Sequence, residues 1–414
     1  MKKILYLCVA AFMLAACNES KTVSITVFNP LSLDRNNEIV EVSIADVSTK
    51  LQLADDAQFV IYNTNGQEVA YQITSDDKLI FPADVPADST AVYVVKKGKP
   101  ATVPTLACGR QYPERVDDLA WENDLVAFRA YGPALQKTGE RAFGYDVWTK
   151  YNTSEPVVED RYAMELNPET LAAIDSLKIA DPNAAKELRA ATSYHLDHGN
   201  GLDCYKVGPT LGGGTAALMS EGNIIYPYCY NDYKILDNGP LRFSVQLVYN
   251  PLTVKENTDV VETRIITLDA GSHLNKTVIS YSGLNETTEI AAGLVLHEAD
   301  GEAVIAADAT QGYITYADPT DNASGVNGKI FVAAVVPGAV KEAKAIYFSK
   351  EEKEKERGGA DGHVLAISDY QPGTNYTYYW GSAWSKAGMD AESWNQYVAE
   401  YAQKVRKPLE VTVL

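Results

Sequence analysis

The chain has 414 residues, long for one domain and more in keeping with two. Its formal net charge is −19, which argues against nucleic acid as a partner and means that an anionic substrate needs a local cluster of Arg or Lys. A hydrophobic content of 46% is ample for a packed core, and 26 tyrosines fit a β-rich protein.

At the N-terminus, Lys2 and Lys3 precede an apolar run, Ile4 to Ala16, that is too short to span a bilayer. Leu14-Ala15-Ala16-Cys17 resembles a bacterial lipobox, with small residues at a cleavage site followed by cysteine. Cleavage before Cys17 and lipidation of that cysteine would anchor the mature chain to a membrane, with residues 1–21 as signal and tether. An outer-membrane lipoprotein facing the periplasm or the cell surface is the expected location. Loss of Lys2 and Lys3 takes the net charge from −19 to about −21. Cys8 leaves with the signal, so Cys108, Cys204 and Cys229 remain. An odd number cannot all pair; a Cys204–Cys229 bond suits an oxidising periplasm, and unpaired buried thiols suit the sequence equally well. There is no CxxC and no zinc-type spacing.

From Thr22 to Asn29 the residues alternate like a strand, and Glu38 to Ile44 repeats the pattern. Phe59 to Tyr62, Val69 to Ile73, Leu79 to Phe81 and Ala91 to Val95 complete a run of short strands separated by turn residues. This spacing predicts a small, Ig-like β-sandwich over residues 22–100, closed by the Gly- and Pro-containing linker Lys96 to Pro104. Longer strand-like runs fill residues 105–414: Leu125 to Tyr131, Leu241 to Tyr249, Val260 to Leu268, Asn275 to Tyr281, Ile290 to Leu296, Gly312 to Tyr316, Lys329 to Val336 and Val364 to Ser368. Strands this long and numerous imply a large antiparallel assembly. Few helices are predicted: Pro168 to Ile179, Pro182 to Ala191, and Asp390 to Val405, where Trp394, Val398, Tyr401 and Val405 recur at helical spacing.

The segment from Ser193 to Thr215, SYHLDHGNGLDCYKVGPTLGGGT, concentrates titratable side chains among glycines. Such a composition belongs on a loop at a pocket mouth rather than in a core strand. His195 and His198 are acid–base candidates, because an imidazole titrates near working pH, and Asp197 or Asp203 would orient a ring. The same four residues, His195, Asp197, His198 and Asp203, also read as ligands for a divalent metal ion, although the spacing matches no strong motif. A third reading is a hydrogen-bonded turn in which the histidines cap strands. Lys206 would pair with a uronate carboxylate or with Asp203. GxxxxGK[ST] is absent around Gly212-Gly213-Gly214, so no nucleotide is expected as a partner.

A second cluster, Arg141, Tyr145, Asp146 and Trp148, combines an aromatic stacking surface with groups that bind hydroxyls and carboxylates. Arginine beside tyrosine is also what β-elimination from a uronic acid needs: Arg141 to neutralise the carboxylate, Tyr145 or a histidine to move the proton. Glu122 and Asp124 are a weak hint of paired catalytic carboxylates, and a strand edge explains them as well. Arg129, Arg242 and Arg264 fall inside strands, where a concave face would make some of them ligand contacts. His297-Glu298 is a reserve acid–base pair, and Trp380 with Trp384 a candidate sugar platform. His273 and His363, in turn-like contexts, are given no role.

The segments WENDLVAFRAYGPAL, FGYDVWTK, the Ser193–Thr215 stretch, PLRFSVQLVY and ITLDAGSHLNK, in this order, resemble domain-of-unknown-function family 4861 over about residues 105–414. The resemblance implies secreted proteins associated with glycan utilisation and a galactose-mutarotase-like β-supersandwich, without an assigned catalytic set. Together these readings give an all-β protein, a small N-terminal sandwich followed by a large antiparallel supersandwich with a few helices. The expected activity is on a uronate-containing oligo- or polysaccharide, by β-elimination or glycoside hydrolysis, without a resident cofactor. His195, His198, Tyr145 and Arg141 carry the chemistry in that reading. Asp146, Trp148, Asp197, Asp203, Lys206, Arg242, Trp380 and Trp384 hold the sugar. The alternatives are a non-catalytic glycan-binding lipoprotein and a sugar epimerase or mutarotase.

Overall fold

Strict alternation of apolar and polar residues decides most of the architecture. A computed structural model describes residues 21–414 apart from 55–56, 299–305 and 321–324. The signal and Cys17 therefore lie outside the described residues.

In strand Thr22–Phe28, Val23, Ile25 and Val27 point inward while their neighbours face water. This strand lies in a five-stranded sheet with Thr90–Lys97, Phe59–Tyr62 and Glu68–Val69. A three-stranded sheet, Arg35–Ser43, Lys78–Val85 and Gln72–Ile73, faces it across a core that includes Phe59, Phe81 and Tyr93. One short helix, Ile44–Leu51, was not anticipated; Ser43 caps it and it buries Val47 and Leu51 in the same core. The fifth strand of the first sheet is Glu410–Val413, from the far end of the chain, antiparallel to Thr22–Phe28.

Beyond residue 105 two sheets face each other. The larger has nine strands; its central members are Arg242–Tyr249, Asn257–Asp269, Leu274–Ser282, Tyr376–Trp384 and Ile330–Val335. The smaller has five, centred on Gly213–Ser220, Thr288–Leu296 and Gly362–Tyr370. Every strand pairing in both is antiparallel, as the long alternating runs predicted. Between them lies one apolar core, with Leu218, Ile290, Leu294 and Val364 on one side and Val245, Ile266, Ile279 and Val332 on the other. This is the expected all-β supersandwich with few helices.

A third, five-stranded sheet joins one end of this core through Trp121, Phe128 and Val147. Its order is Gly201–Asp203, Asp146–Lys150, Ala127–Ala130, Asp118–Glu122 and Cys108–Tyr112. Helices Val158–Glu165, Pro168–Ala180 and Pro182–Thr192 belong to the same part of the chain, and Tyr162 from the first packs with Trp148 on the sheet's other face. The last helix, Ala391–Arg406, lays Trp394, Val398 and Ala402 on the outer face of the nine-stranded sheet, as its periodicity predicted.

Candidate active site

The pleat of strand Asp146–Lys150 sorts its side chains. Val147 and the preceding Tyr145 enter the main core, while Asp146 and Trp148 go to the opposite face. There the register sets Arg129 opposite Asp146 and Trp148 opposite Asp203. Strand Gly201–Asp203 comes this close because Gly201, at φ +128°, has no side chain; a Cβ would sit 2.1 Å from the Thr149 carbonyl oxygen.

One guanidinium now meets three carboxylates. Asp146 and Asp203 share Arg129 Nη2, the latter at 2.8 Å, and Asp118 lies 3.5 Å from Nη1. Nη1 also donates to the Tyr162 hydroxyl at 2.9 Å, which donates onward to Asp118 at 3.1 Å. Arg129, Asp118, Asp146 and Asp203 are all buried. Burial pushes the Asp118 carboxyl up to about 6 against the pull of Arg129 and Arg115. Burial first, and then the neighbouring Asp203 carboxylate, hold Asp146 well above the usual carboxylate range although Arg129 opposes them. Asp146 is thus poised to keep a proton near neutral pH, which relieves the excess of negative charge.

This network continues to a histidine. Tyr205, two residues beyond strand Gly201–Asp203, lies near both Asp146 and Asp318, whose charges add to burial in raising its hydroxyl well above its ordinary value. Among the described residues the Tyr205 hydroxyl has no hydrogen-bond partner. Its ring meets His297 edge-on, with centroids 6.0 Å apart. His297 Nδ1 lies 2.6 Å from the Asp318 carboxylate, and the His297 side chain is 15% exposed while that of Asp318 is buried. A carboxylate accepting from Nδ1–H fixes the tautomer and makes Nε2 more basic. Tyr316 holds this corner, its hydroxyl accepting from the His297 and Glu298 amides. Tyr131, half-buried, lies beneath the Arg129 guanidinium, 5.1 Å from ring centroid to Cζ. Tyr205 therefore links the two groups: its ring touches the carboxylate-oriented His297, and its hydroxyl senses the charge of Asp146.

The residues expected from the sequence divide. Asp146 and Asp203 belong to this network as ligands of Arg129. His195 and His198 close the 193–203 turn instead: Nδ1 of His195 donates to the Asp203 carbonyl and Nε2 of His198 to the Ser193 carbonyl, each at 3.0 Å. Asp197 accepts from the Gly199 amide, Tyr151 and Lys386. Burial works to raise its pKa, and these partners outweigh burial and hold it below its ordinary value. Of the four candidate metal ligands, His195 and Asp203 lie together, with Nδ1 3.9 Å from the carboxylate, while Asp197 and His198 have other partners. Among the described residues no group of three or more His, Cys, Asp or Glu side chains is arranged to hold a metal ion. Lys206 is exposed and, among the described residues, pairs with no acid; Asp203 is taken by Arg129.

The expected meeting of Arg141, Tyr145 and a histidine does not occur. Tyr145 is buried between the sheets, stacked on Trp380 at 4.0 Å, and its hydroxyl accepts from Arg264 at 2.8 Å. Arg141 is exposed, with its guanidinium near Phe143. The tryptophans offer no platform either, because other rings already cover them. Trp148 packs between Tyr162 and Tyr194, Trp380 against Tyr145 and Phe128, and Trp384 against Tyr151. Arg242 lies elsewhere, ion-paired to Glu41 and Asp269. Arg264 and Glu262 form an ion pair inside the core. Glu122 and Asp124 are both spent on structure. Glu122 pairs with Lys150 at 2.8 Å and accepts the Val157 and Val158 amides at the start of a helix; Asp124 accepts from Gly271. Cys108, Cys204 and Cys229 are free thiols. Sequence reasoning held His297 only in reserve and missed Asp318, Tyr205 and Tyr131, whose positions in the chain carry no shared spacing.

Among known proteins, the chain is 29% identical to "Uncharacterized protein P7" of Formosa agariphila over 440 residues, 99% of this chain and 98% of that one. Two solved structures from Enterococcus faecalis align with 95% of the chain: an alpha-mannosidase, at 10% identity and a TM-score of 0.45, and a protein in the Glycosyl Hydrolase Family 38, at 7% and 0.48. The chain spans 46% and 47% of those two proteins, somewhat under half of each. A family model described as "Domain of unknown function (DUF4861)" matches residues 27–411, taking in the N-terminal sandwich as well as the segments that first carried the resemblance, so the chain belongs to that family.

Proposed function

We propose that this protein is carbohydrate-active and breaks a glycosidic linkage beside a uronic acid, with His297, Asp318 and Asp146 as its proton-transfer groups. The observation that carries the reading is Tyr205, whose ring touches a carboxylate-oriented imidazole and whose hydroxyl senses a carboxyl group that keeps its proton near neutrality. Acid–base work needs two groups whose environments push their pKa values apart. In β-elimination, His297 Nε2 takes the C5 proton, the C4–O bond breaks as the C4=C5 bond forms, and a tyrosine hydroxyl protonates the departing oxygen. Asp146 is buried, so its proton travels by way of Tyr205 or Tyr131, the two hydroxyls that sense its charge. Lys206, exposed next to Tyr205, is the cation for the uronate carboxylate. Hydrolysis would use the same donor and acceptor with water as nucleophile. Lipidation at Cys17 would hold this chemistry at the outer membrane.

A second reading is favoured by the same pair. A histidine and a carboxylic acid facing one sugar ring also suit mutarotation or epimerisation, in which no linkage breaks. One experiment covers both. Pectic and glucuronate-containing glycans are incubated with the protein while the absorbance of unsaturated product, reducing ends and anomer exchange by NMR are followed. Turnover that disappears in His297→Ala and Asp318→Asn supports the proposal, and the active readout names the reaction. Silence in all three across a broad panel, or activity unchanged by both substitutions, refutes it.

A further inference from the structure

A cleft of about 260 Å³ opens where strand Arg35–Ser43 of the N-terminal sandwich, the outer face of the nine-stranded sheet and helix Ala391–Arg406 meet. At ~30 Å³ of liquid volume per water, it has room for roughly nine waters, the space of one sugar ring. Tyr379, Tyr397 and Tyr401 form an aromatic wall along it, with neighbouring centroids 5.4 and 5.9 Å apart. Among the described residues the hydroxyl of Tyr379 donates no hydrogen bond to a protein acceptor, although the residue is only half-buried.

Charge selects the occupant. Arg242 is spent, held between Glu41 at 2.7 Å and Asp269 at 2.6 Å. Glu38 is spent on the buried Arg35 at 2.7 Å. With Arg35 counted, four cations (Arg35, Arg242, Lys276 and Lys404) stand against three carboxylates (Glu38, Glu41 and Asp269), an excess of one positive charge. Lys276 and Lys404 both line the cleft, and among the described residues neither meets a carboxylate within ion-pair distance. Two unpaired ammonium groups in one cleft are notable in a chain whose formal charge is −19. Tyrosine faces pack on the C–H faces of a pyranose, hydroxyls bond its oxygens, and lysines attract a carboxylate or a sulfate on it.

We infer that this cleft is a second, non-catalytic binding site for an anionic sugar residue. It uses none of the residues around His297, so it does not depend on the chemistry proposed there. An occupant would touch the sandwich, the nine-stranded sheet and the last helix at once, and would stabilise the chain by mass action.

The test uses the full chain with D-glucuronate as probe and D-glucose as its neutral control, read by calorimetric titration and by thermal shift. Glucuronate is expected to bind and raise Tm, more weakly as salt is added, with glucose binding less tightly. Lys276→Met and Lys404→Met should each lower affinity roughly three- to tenfold, in line with partly exposed ion pairs. Tyr401→Ala should also weaken binding. Glucuronate affinity that survives both lysine substitutions, or equal affinity for glucose, overturns the inference, as does absence of binding to the wild-type chain. Binding lost in His297→Ala and kept in the lysine variants would also overturn it, while supporting the reading of the His297 site.

Discussion

Replacing Arg129 by methionine tests whether the buried carboxylates depend on one guanidinium. The side chains are similar in length, so the change removes charge and hydrogen bonds more than volume. Three carboxylates lose their shared partner. Removing one member of a buried ion pair costs about 3–5 kcal/mol when its partner stays charged. Here the partners have an escape, because each can take a proton. In the variant the folded-state pKa values of Asp118 and Asp146 rise further above the unfolded values. Stability from such a shift is present below the unfolded pKa and is lost as pH rises through the folded pKa. The deficit relative to wild type should therefore be about 1–2 kcal/mol at pH 5 and grow to about 3–5 kcal/mol at pH 8. Urea denaturation at pH 5, 6.5 and 8 measures it. Tryptophan fluorescence is a suitable probe, since Trp148 lies 5.5 Å from the guanidinium carbon. A deficit that does not change with pH, or one below about 1 kcal/mol at pH 8, would refute the account of this cluster.

His363 is fully buried, accepts from the Leu211 amide at 3.0 Å, and is pushed down to about 3, chiefly by burial. The unfolded chain therefore takes up its proton first, and wild-type stability should fall by about 1.4 kcal/mol per pH unit from this residue as pH drops from ~6.5 toward 3. His363→Gln should lose that slope in acid denaturation curves, and parallel curves for the two proteins would count against it. Tyr145→Phe should cost about 1–3 kcal/mol in urea denaturation, because Arg264 loses a buried acceptor. Glycan turnover by that variant should remain at wild-type level, and a selective loss of turnover would restore Tyr145 to the catalytic role its sequence suggested. Gly381→Ala drives a Cβ to 2.0 Å from the His273 carbonyl oxygen, backbone against backbone. It should destabilise by about 1–3 kcal/mol or more, visible as a lower Tm, and an unchanged Tm would contradict the packing described for that strand.

The long strands were legible because a half-buried strand writes its period directly into the residues. Asn257–Asp269 buries Val260, Ile266 and Leu268 at every second place, and two charged residues, Glu262 and Arg264, share that inward face. Alternation tells which face a side chain takes, not whether that face is wet. For that reason Tyr145 read as a proton carrier and Trp380 as a sugar contact, and the two proved to be a stacked pair between sheets. The loop histidines drew attention through composition alone, but their ring nitrogens hold a turn. His297 and Asp318 follow or end strands of two different sheets, 21 residues apart, and only the packing of one sheet on the other brings them to 2.6 Å. Short strands such as Cys108–Tyr112 and Glu410–Val413 escaped notice because a few residues carry too little of any period.

The pairing of Glu410–Val413 with Thr22–Phe28 sets the order in which the protein can be completed. The sandwich is the first part to emerge during synthesis, yet its outermost strand is supplied by the last. At ~5–20 residues per second, the edge of Thr22–Phe28 waits roughly 20–80 s for its partner. An unpaired edge is a template for another chain, so the nascent protein is most prone to aggregate during that interval. Anything that removes or masks residues 410–413, a trimmed end or a bulky fusion, would leave the far end of the molecule unfinished.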